Sequence, residues 1–188
     1  MIPASASSPT CTSFNKPQDK EAIWTFLCHF LDYVKQVDPN HPRTVGVEHS
    51  SLIPHVLDRV EVLCTHNYRN DLREDLGAVK RLGRQQGKPV IINEMAGRPR
   101  QPYSYVMPIV AEEKIGWCFW ELMIGRSQFT RGATPYQGVI YPDGTCFDAA
   151  EVTEIVYPGQ TGLEAKRVAA EIGLPQRPGT PAIPGRAN

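Results

Sequence analysis

The chain has 188 residues, of which 41% are hydrophobic, so it suits one domain with a sizeable core. Its 20 basic residues balance its 20 acidic residues, which argues against a general nucleic-acid binder, since such proteins usually carry a basic excess. No apolar run approaches the roughly 20 residues of a membrane-spanning helix, and the first residues lack the basic and apolar regions of a signal peptide, so we expect no membrane partner and assign no compartment.

Helices and strands alternate between two tails rich in serine and proline. The elements predicted in chain order are a helix over 19–36, a strand over 44–48, a helical turn over 51–60, a strand over 61–68, a helix over 71–86, a strand over 88–94, a helix over 102–113, a strand over 115–125, a hairpin over 137–147, and helices over 148–156 and 162–172. This pattern predicts a folded domain over 19–158, a disordered segment over 1–18, and a C-terminal helix with a proline-rich tail over 159–188, disordered from 174 onward.

Three local signals support these boundaries. Leu72, Leu76, Val79 and Leu82 form one apolar stripe, and Gly87 is a natural stop for the helix that carries them. Asp148 is predicted to be the N-cap of the helix that follows it. Pro142-Asp143-Gly144 is a good turn sequence at the centre of the predicted hairpin.

Polar and aromatic residues follow the apolar bodies of four successive strands. Strands that alternate with helices indicate a parallel sheet, and sites in such sheets lie at the carboxyl ends of the strands. The residues at those ends are Glu48-His49-Ser50, His66-Asn67-Tyr68, Asn93-Glu94 and Trp120-Glu121. The sequence therefore predicts a ligand site at this edge of the sheet.

Glu94 ends a strand that reads as buried on both faces, and burying an unpaired charge is costly. It is therefore either a structural ion-pair partner of a lysine or arginine, or a group at a site where chemistry happens. Trp117 and Trp120 lie three residues apart, so strand alternation places them on opposite faces, and only one can face the interior. The sequence position of Trp120 fits a core residue and a substrate-site residue equally well. Glu121 is a substrate contact or a partner of Arg126 or Arg131.

The histidines and cysteines do not indicate a metal site. The five cysteines are widely spaced with no CxxC pair, which favours reduced and mostly buried thiols. His66 lies near Cys64, but the spacings match no zinc pattern. We expect neither a metal nor another cofactor.

The order of these motifs resembles the C-terminal half of clan A glycoside hydrolases, the (β/α)8-barrel cellulases, mannanases and related family 5-like proteins. The resemblance covers about residues 20–156 and consists of a strand ending H-x-Y, then KPVIINE, then GWCFWEL. It implies that Glu94 is the catalytic nucleophile, that Tyr68 donates a hydrogen bond to it, and that His66 holds a sugar hydroxyl. It also implies that Trp120 forms the floor of a sugar subsite, and we add Glu121 and His49 as substrate-binding candidates.

The resemblance also implies that part of the site is absent. In this clan the general acid/base is a second glutamate in an Asn-Glu pair that ends the fourth strand, and the single Asn-Glu of this chain, Asn93-Glu94, has the context of the seventh. A whole barrel usually needs about 250 residues. We therefore expect an α/β fold that is a partial TIM (β/α)8 barrel, about the last four βα units, with parallel strands and flanking helices.

Two functions follow as hypotheses. The first is a retaining glycoside hydrolase acting on a β-linked polysaccharide or oligosaccharide, here a fragment that lacks the acid/base and is inactive alone. The second is a non-catalytic protein, either a carbohydrate-binding remnant or a half-barrel assembly unit. Beside a carbohydrate, the partner expected is the missing N-terminal half-barrel or a second copy, because half a barrel exposes two sheet edges.

Overall fold

The computed structural model describes residues 17–125, 127, 135–160 and 162–179, with the side chains of 17–19 left out. The helices are α1 (Pro17–Val37), α2 (Leu72–Gln86), α3 (Tyr103–Glu113), α4 (Ala149–Val156) and α5 (Gly162–Glu171). The strands are β1 (Gly46–Val47), β2 (Leu63–Asn67), β3 (Val90–Met95) and β4 (Gly116–Trp117). Two 3₁₀-helices, Ser50–His55 and Leu57–Arg59, occupy the predicted helical turn around Pro54.

The four strands form one sheet in the order β1-β2-β3-β4, and each neighbouring pair is parallel. Spatial order equals chain order, and helices α2 and α3 connect β2 to β3 and β3 to β4. Consecutive parallel strands linked by helices are the repeating unit of a (β/α)8 barrel. The predicted fold class, an α/β partial barrel of four parallel strands with flanking helices, is confirmed.

Helix α2 packs on the sheet through the stripe predicted for it. Leu72, Leu76 and Val79 are fully buried. Gly87 ends the helix in the left-handed conformation, and its amide donates to the carbonyl of Gly83, as predicted. The apolar layer of helix and sheet residues is the main core of the protein.

A β-bulge in β3 decides which way Glu94 points. Thr65 pairs with Ile92 and His66 pairs with Glu94, so Asn93 is the extra residue in β3. In a regular strand that keeps Asn93, alternation would place Glu94 on the face of Ile92, which is fully buried in the core. The bulge instead places Glu94 beside His66.

Three predicted elements differ from the structure. The strand predicted over 115–125 pairs with β3 over only two residues, and the chain after Trp117 leaves the sheet. The predicted hairpin is shorter than expected, with one antiparallel bridge between Ile140 and Cys146 and backbone hydrogen bonds from Tyr141 to Thr145 and from Phe147 to Val139. The tail predicted to be disordered from 174 is instead attached at its start, because Cys146 donates to the carbonyl of Pro175 and Arg177 donates to that of Cys146. Residues 180–188 of that tail lie outside the described part.

Helix α1 carries two apolar faces rather than one. Trp24, Leu27 and Leu31 pack toward the core, and Trp24 stacks on His55 with ring centroids 4.3 Å apart. A second stripe at helical spacing is exposed and consists of Phe26, Phe30, Tyr33 and Val37. The apolar spacing in the sequence predicts the helix, but it does not separate these two faces.

Helix α5 packs against α4 and buries Ala165 and Ala169. The division of the chain at 158/159 stays a prediction. In the described residues no helix has both the length and the apolar character needed to cross a membrane. The described cysteines are free thiols. Cys64 and Cys146 are buried, as expected, whereas Cys118 is exposed.

Candidate functional site

The carboxylate of Glu94 contacts two residues, one within β2 and one immediately after the end of that strand. The hydroxyl of Tyr68 donates to Oε2 of Glu94 at 3.2 Å. Nδ1 of His66 lies 3.5 Å from the same oxygen. The side chain of Glu94 is 29% exposed, so it meets these partners on one side and solvent on the other. The structure therefore brings together three of the residues that the sequence predicts for the site.

The ring of His66 lies against β1 at Gly46. A β-carbon on Gly46 would overlap Nε2 of His66 and lie 2.7 Å from its Cδ2 and Cε1 atoms. Both ring nitrogens are buried and have no hydrogen-bond partner among the described residues. Burial lowers the pKa of His66, and the charge of Glu94 opposes this shift. The neutral imidazole is thus favoured beside the carboxylate.

Tyr68 is held as a neutral hydrogen-bond donor. Burial raises its pKa well above the ordinary range, and the negative charge of Glu94 acts in the same direction. A hydrogen bond from the side chain of Gln137 acts in the opposite direction. Because the phenol keeps its proton across physiological pH, it can donate to a carboxylate throughout that range.

Asn93, the extra residue of the bulge, is fixed by a neighbour on β2. The thiol of Cys64 donates to Oδ1 of Asn93 at 2.9 Å. Burial raises the pKa of Cys64 to about 12, so the thiol stays protonated and can donate. This contact secures the bulge immediately before Glu94.

A buried ion pair, which the sequence reasoning missed, joins the loop after β3 to α4. The guanidinium of Arg98 donates through Nε to Oε2 of Glu151 at 3.0 Å, and both side chains are almost completely buried. The same guanidinium donates to the carbonyls of Pro135 at 3.1 Å and Gly138 at 2.7 Å. The sequence offers only one indication of this pair, an arginine in the short loop after the strand of Glu94. Arginines in such loops are too common for this position to predict a buried ion pair.

The segment held by Arg98 also places an aromatic ring near Glu94. The carbonyl of Tyr136 accepts from the Arg98 amide at 2.7 Å. A β-carbon on Gly97 would overlap the hydroxyl end of the Tyr136 ring, so glycine is needed there for close approach. The rings of Tyr136 and Tyr68 have centroids 6.3 Å apart.

Trp120 and Glu121 follow β4 rather than lie within it. Trp120 is 45% exposed, and the peptide bond between it and Glu121 is cis. Trp117, the last residue of β4, packs against the core and beside the ring of Phe119. Glu121 accepts a hydrogen bond from Ser127, while Arg126 and Arg131, its predicted partners, lie outside the described residues. Substrate roles for Trp120 and Glu121 stay predictions.

His49 takes part in a network that faces α2. Its Nδ1 accepts from the amide of Ser51 at the start of the first 3₁₀-helix, and its Nε2 lies 3.2 Å from Oδ1 of Asp75. Asp75 is buried and also accepts from Thr65 and Asn67. The contacts of His49 are those of a cap and a link to α2, and its substrate role stays a prediction.

No protein-family model matches this chain, and no curated protein is significantly similar to it in sequence. A solved structure with detectable similarity is the glycoside hydrolase family 17 beta-1,3-glucanosyltransferase from Rhizomucor miehei, with a TM-score of 0.49 and 16% sequence identity. The similarity covers 64% of this chain and 54% of that one. The chain thus spans about half the length of the structure it resembles.

Proposed function

We propose that Glu94 is the nucleophile of a retaining glycoside hydrolase site for β-linked sugars. The observation that carries the proposal is the pairing of a partly exposed carboxylate with a neutral phenol donor at the carboxyl end of a parallel strand. A structural ion pair would place a lysine or arginine on Glu94, whereas the polar contacts it makes within the described part of the chain are with Tyr68 and His66.

The chemistry assigned to Glu94 is nucleophilic displacement. Its carboxylate oxygen attacks the anomeric carbon and forms a covalent ester with the sugar, while the glycosidic bond breaks and the leaving oxygen takes a proton from an acid. Water then attacks the anomeric carbon, gives its proton to the conjugate base of that acid, and releases Glu94. The hydrogen bond from Tyr68 orients the carboxylate for attack, and neutral His66 lies beside it.

The reaction needs a second carboxyl group, about 5–5.5 Å from the first. Neither polar contact of Glu94 is a carboxylic acid. We infer that a complementary half-barrel supplies this group when it pairs with the open edges of the sheet. A second copy of the chain would bring only a second Glu94 and no distinct acid.

A mechanism-based reagent tests the nucleophile without the acid. A 2,4-dinitrophenyl 2-deoxy-2-fluoro-β-cellobioside has a leaving group that needs no protonation, so it should label Glu94 in the isolated chain. Peptide mass spectrometry should place the sugar on Glu94, and E94Q should remain unlabelled. Labelling at another residue, or equal labelling of E94Q, would overturn the assignment.

A second candidate function is a non-catalytic half-barrel that assembles with its own copy. The observation in its favour is the exposed stripe of α1, in which Phe26 is 68% exposed, together with exposed Val156 and Leu163 on α4 and α5 at the other end of the sheet. In a two-fold dimer, α1 of each copy would lie beside α4 of the other and cover both patches.

Sedimentation velocity of the wild type and of a Phe26→Ser, Phe30→Ser double variant tests this candidate. A wild-type dimer that the double variant converts to a monomer supports this candidate. Binding of an oligosaccharide without labelling of any residue by the 2-fluoro cellobioside would support it further. A wild type that sediments as a monomer at all concentrations contradicts it.

A further inference from the structure

Tyr136 is an exposed aromatic ring whose position is determined by several contacts. Its carbonyl accepts from the Arg98 amide, and its ring edge rests on Gly97. The carbonyls on either side, of Pro135 and Gly138, accept from the Arg98 guanidinium. A surface tyrosine that served only solubility would not require an adjacent glycine and a buried arginine to hold it.

The position of this ring relates it to Glu94. Tyr136 lies beside Tyr68, with an interplanar angle of 43°, and Tyr68 donates to Glu94. Gly97, on which Tyr136 rests, is three residues after Glu94 in the chain. The ring is 38% exposed, so a ligand that reaches Glu94 can also contact it.

We propose that Tyr136 is a carbohydrate-binding platform that stacks on a pyranose ring of the substrate whose bond Glu94 attacks. The inference rests on the proposed function of Glu94. A pyranose presents a face of C–H groups, and a tyrosine offers a flat apolar surface with a polar rim, which suits a partly wet interface. Arg98 positions the platform through Pro135, Tyr136 and Gly138.

The labelling reaction separates binding from chemistry. Saturation kinetics with the 2-fluoro cellobioside give a dissociation constant for the reagent and a first-order rate constant for attack by Glu94. Tyr136→Ala should raise the dissociation constant about tenfold, which is the loss of about 1.4 kcal/mol, and leave the first-order rate constant unchanged. Tyr136→Phe should retain wild-type binding, because the ring and not the hydroxyl makes the contact.

Two further variants test whether binding depends on where the Tyr136 ring lies or on the loss of any exposed tyrosine. Gly97→Ala keeps Tyr136 but displaces its ring, so it should also raise the dissociation constant. Tyr157→Ala removes an exposed tyrosine at the C-terminal end of α4 and should change neither constant. A structural role for Tyr136 would instead lower the first-order rate constant or the thermal midpoint of Tyr136→Ala.

The outcomes distinguish the two proposals. If the wild type is labelled and Tyr136→Ala has the same dissociation constant, the platform is refuted while the nucleophile stands. If the wild type is not labelled, titration calorimetry with cellotetraose decides. Binding weakened by Tyr136→Ala then supports the platform alone, and binding that is absent or unchanged by the variant refutes it as well.

Discussion

Gly46 of β1 and His66 of β2 are in such close contact that no side chain fits at position 46. The imidazole occupies the volume that a β-carbon would need, with Cδ2 and Cε1 of His66 2.7 Å from its position. Since Nδ1 of the same ring lies 3.5 Å from Glu94, the absence of a side chain on β1 lets the histidine reach the carboxylate.

Gly46→Ala should therefore displace His66 and destabilise the protein by about 1–3 kcal/mol, the usual cost of overpacking. Urea denaturation measures the change. Gly77→Ala is the matched control, because a β-carbon there meets only the tip of Arg81 at an ordinary 3.5 Å. In helix α2 that substitution should stabilise by about 0.5–1 kcal/mol. Equal effects of the two substitutions would contradict the packing described for His66.

Tyr68→Phe should slow the labelling of Glu94 by about tenfold or more, because a hydrogen bond to a charged group contributes about 1.5–3 kcal/mol. The hydroxyl of Tyr105 donates to the carbonyl of Asn70 at the same distance, 3.2 Å, on the surface. Tyr105→Phe is therefore a matched loss of a tyrosine hydroxyl and should leave the labelling rate unchanged. A Tyr68→Phe variant labelled at the wild-type rate would show that the phenol does not assist the carboxylate.

The free energy of unfolding should fall as the pH is lowered below about 6.5. Burial lowers the pKa of His66 in the folded state, so between the folded and unfolded pKa values the unfolded chain binds the extra proton. The stabilisation by neutral His66 is thus complete above the unfolded pKa and is lost as the pH falls toward the folded one. Urea denaturation at pH 7.5, 6.5 and 5.5 should show a shallower pH slope for His66→Gln than for the wild type. His29→Gln, at an exposed position, should keep the wild-type slope.

Arg98→Met should destabilise the protein by about 3–5 kcal/mol, because it removes the guanidinium that pairs with the buried carboxylate of Glu151. The double variant Arg98→Met, Glu151→Met should cost clearly less than the sum of the single variants, since both charges of the buried pair are removed together. Arg73→Met breaks an exposed pair with Glu112 and should cost below about 1 kcal/mol. Additive effects of Arg98→Met and Glu151→Met would refute the pairing. Thermal denaturation of all four variants measures these differences.

The fold and part of the site could be predicted from the sequence because their signals are local. Alternating apolar runs and helix stops predict four βα units, and the residues that end β2 and β3 predict the meeting of Tyr68 with Glu94. Parallel strands bring such ends together whatever the details of packing.

The rest depends on contacts between distant residues. Arg98 and Glu151 are 53 positions apart, and nothing near either residue indicates the other. The short β4 was overestimated because GWCFWEL has strand-like composition throughout, although only Gly116 and Trp117 pair with β3. Amino-acid composition indicates which residues are compatible with a strand. Strand pairing also requires a neighbouring strand with backbone N–H and C=O groups available for hydrogen bonds.

The bulge at Asn93 makes the direction of the carboxylate a matter of residue count. The same residues in a regular ladder, without the bulge, would turn the charge of Glu94 into the layer occupied by Ile92 and α2. Substitutions around this position can be absorbed one side chain at a time. A deletion of Asn93 would remove the extra residue and the bulge together, so Glu94 would follow Ile92 directly and still face His66, while the contact between Asn93 and Cys64 would be lost.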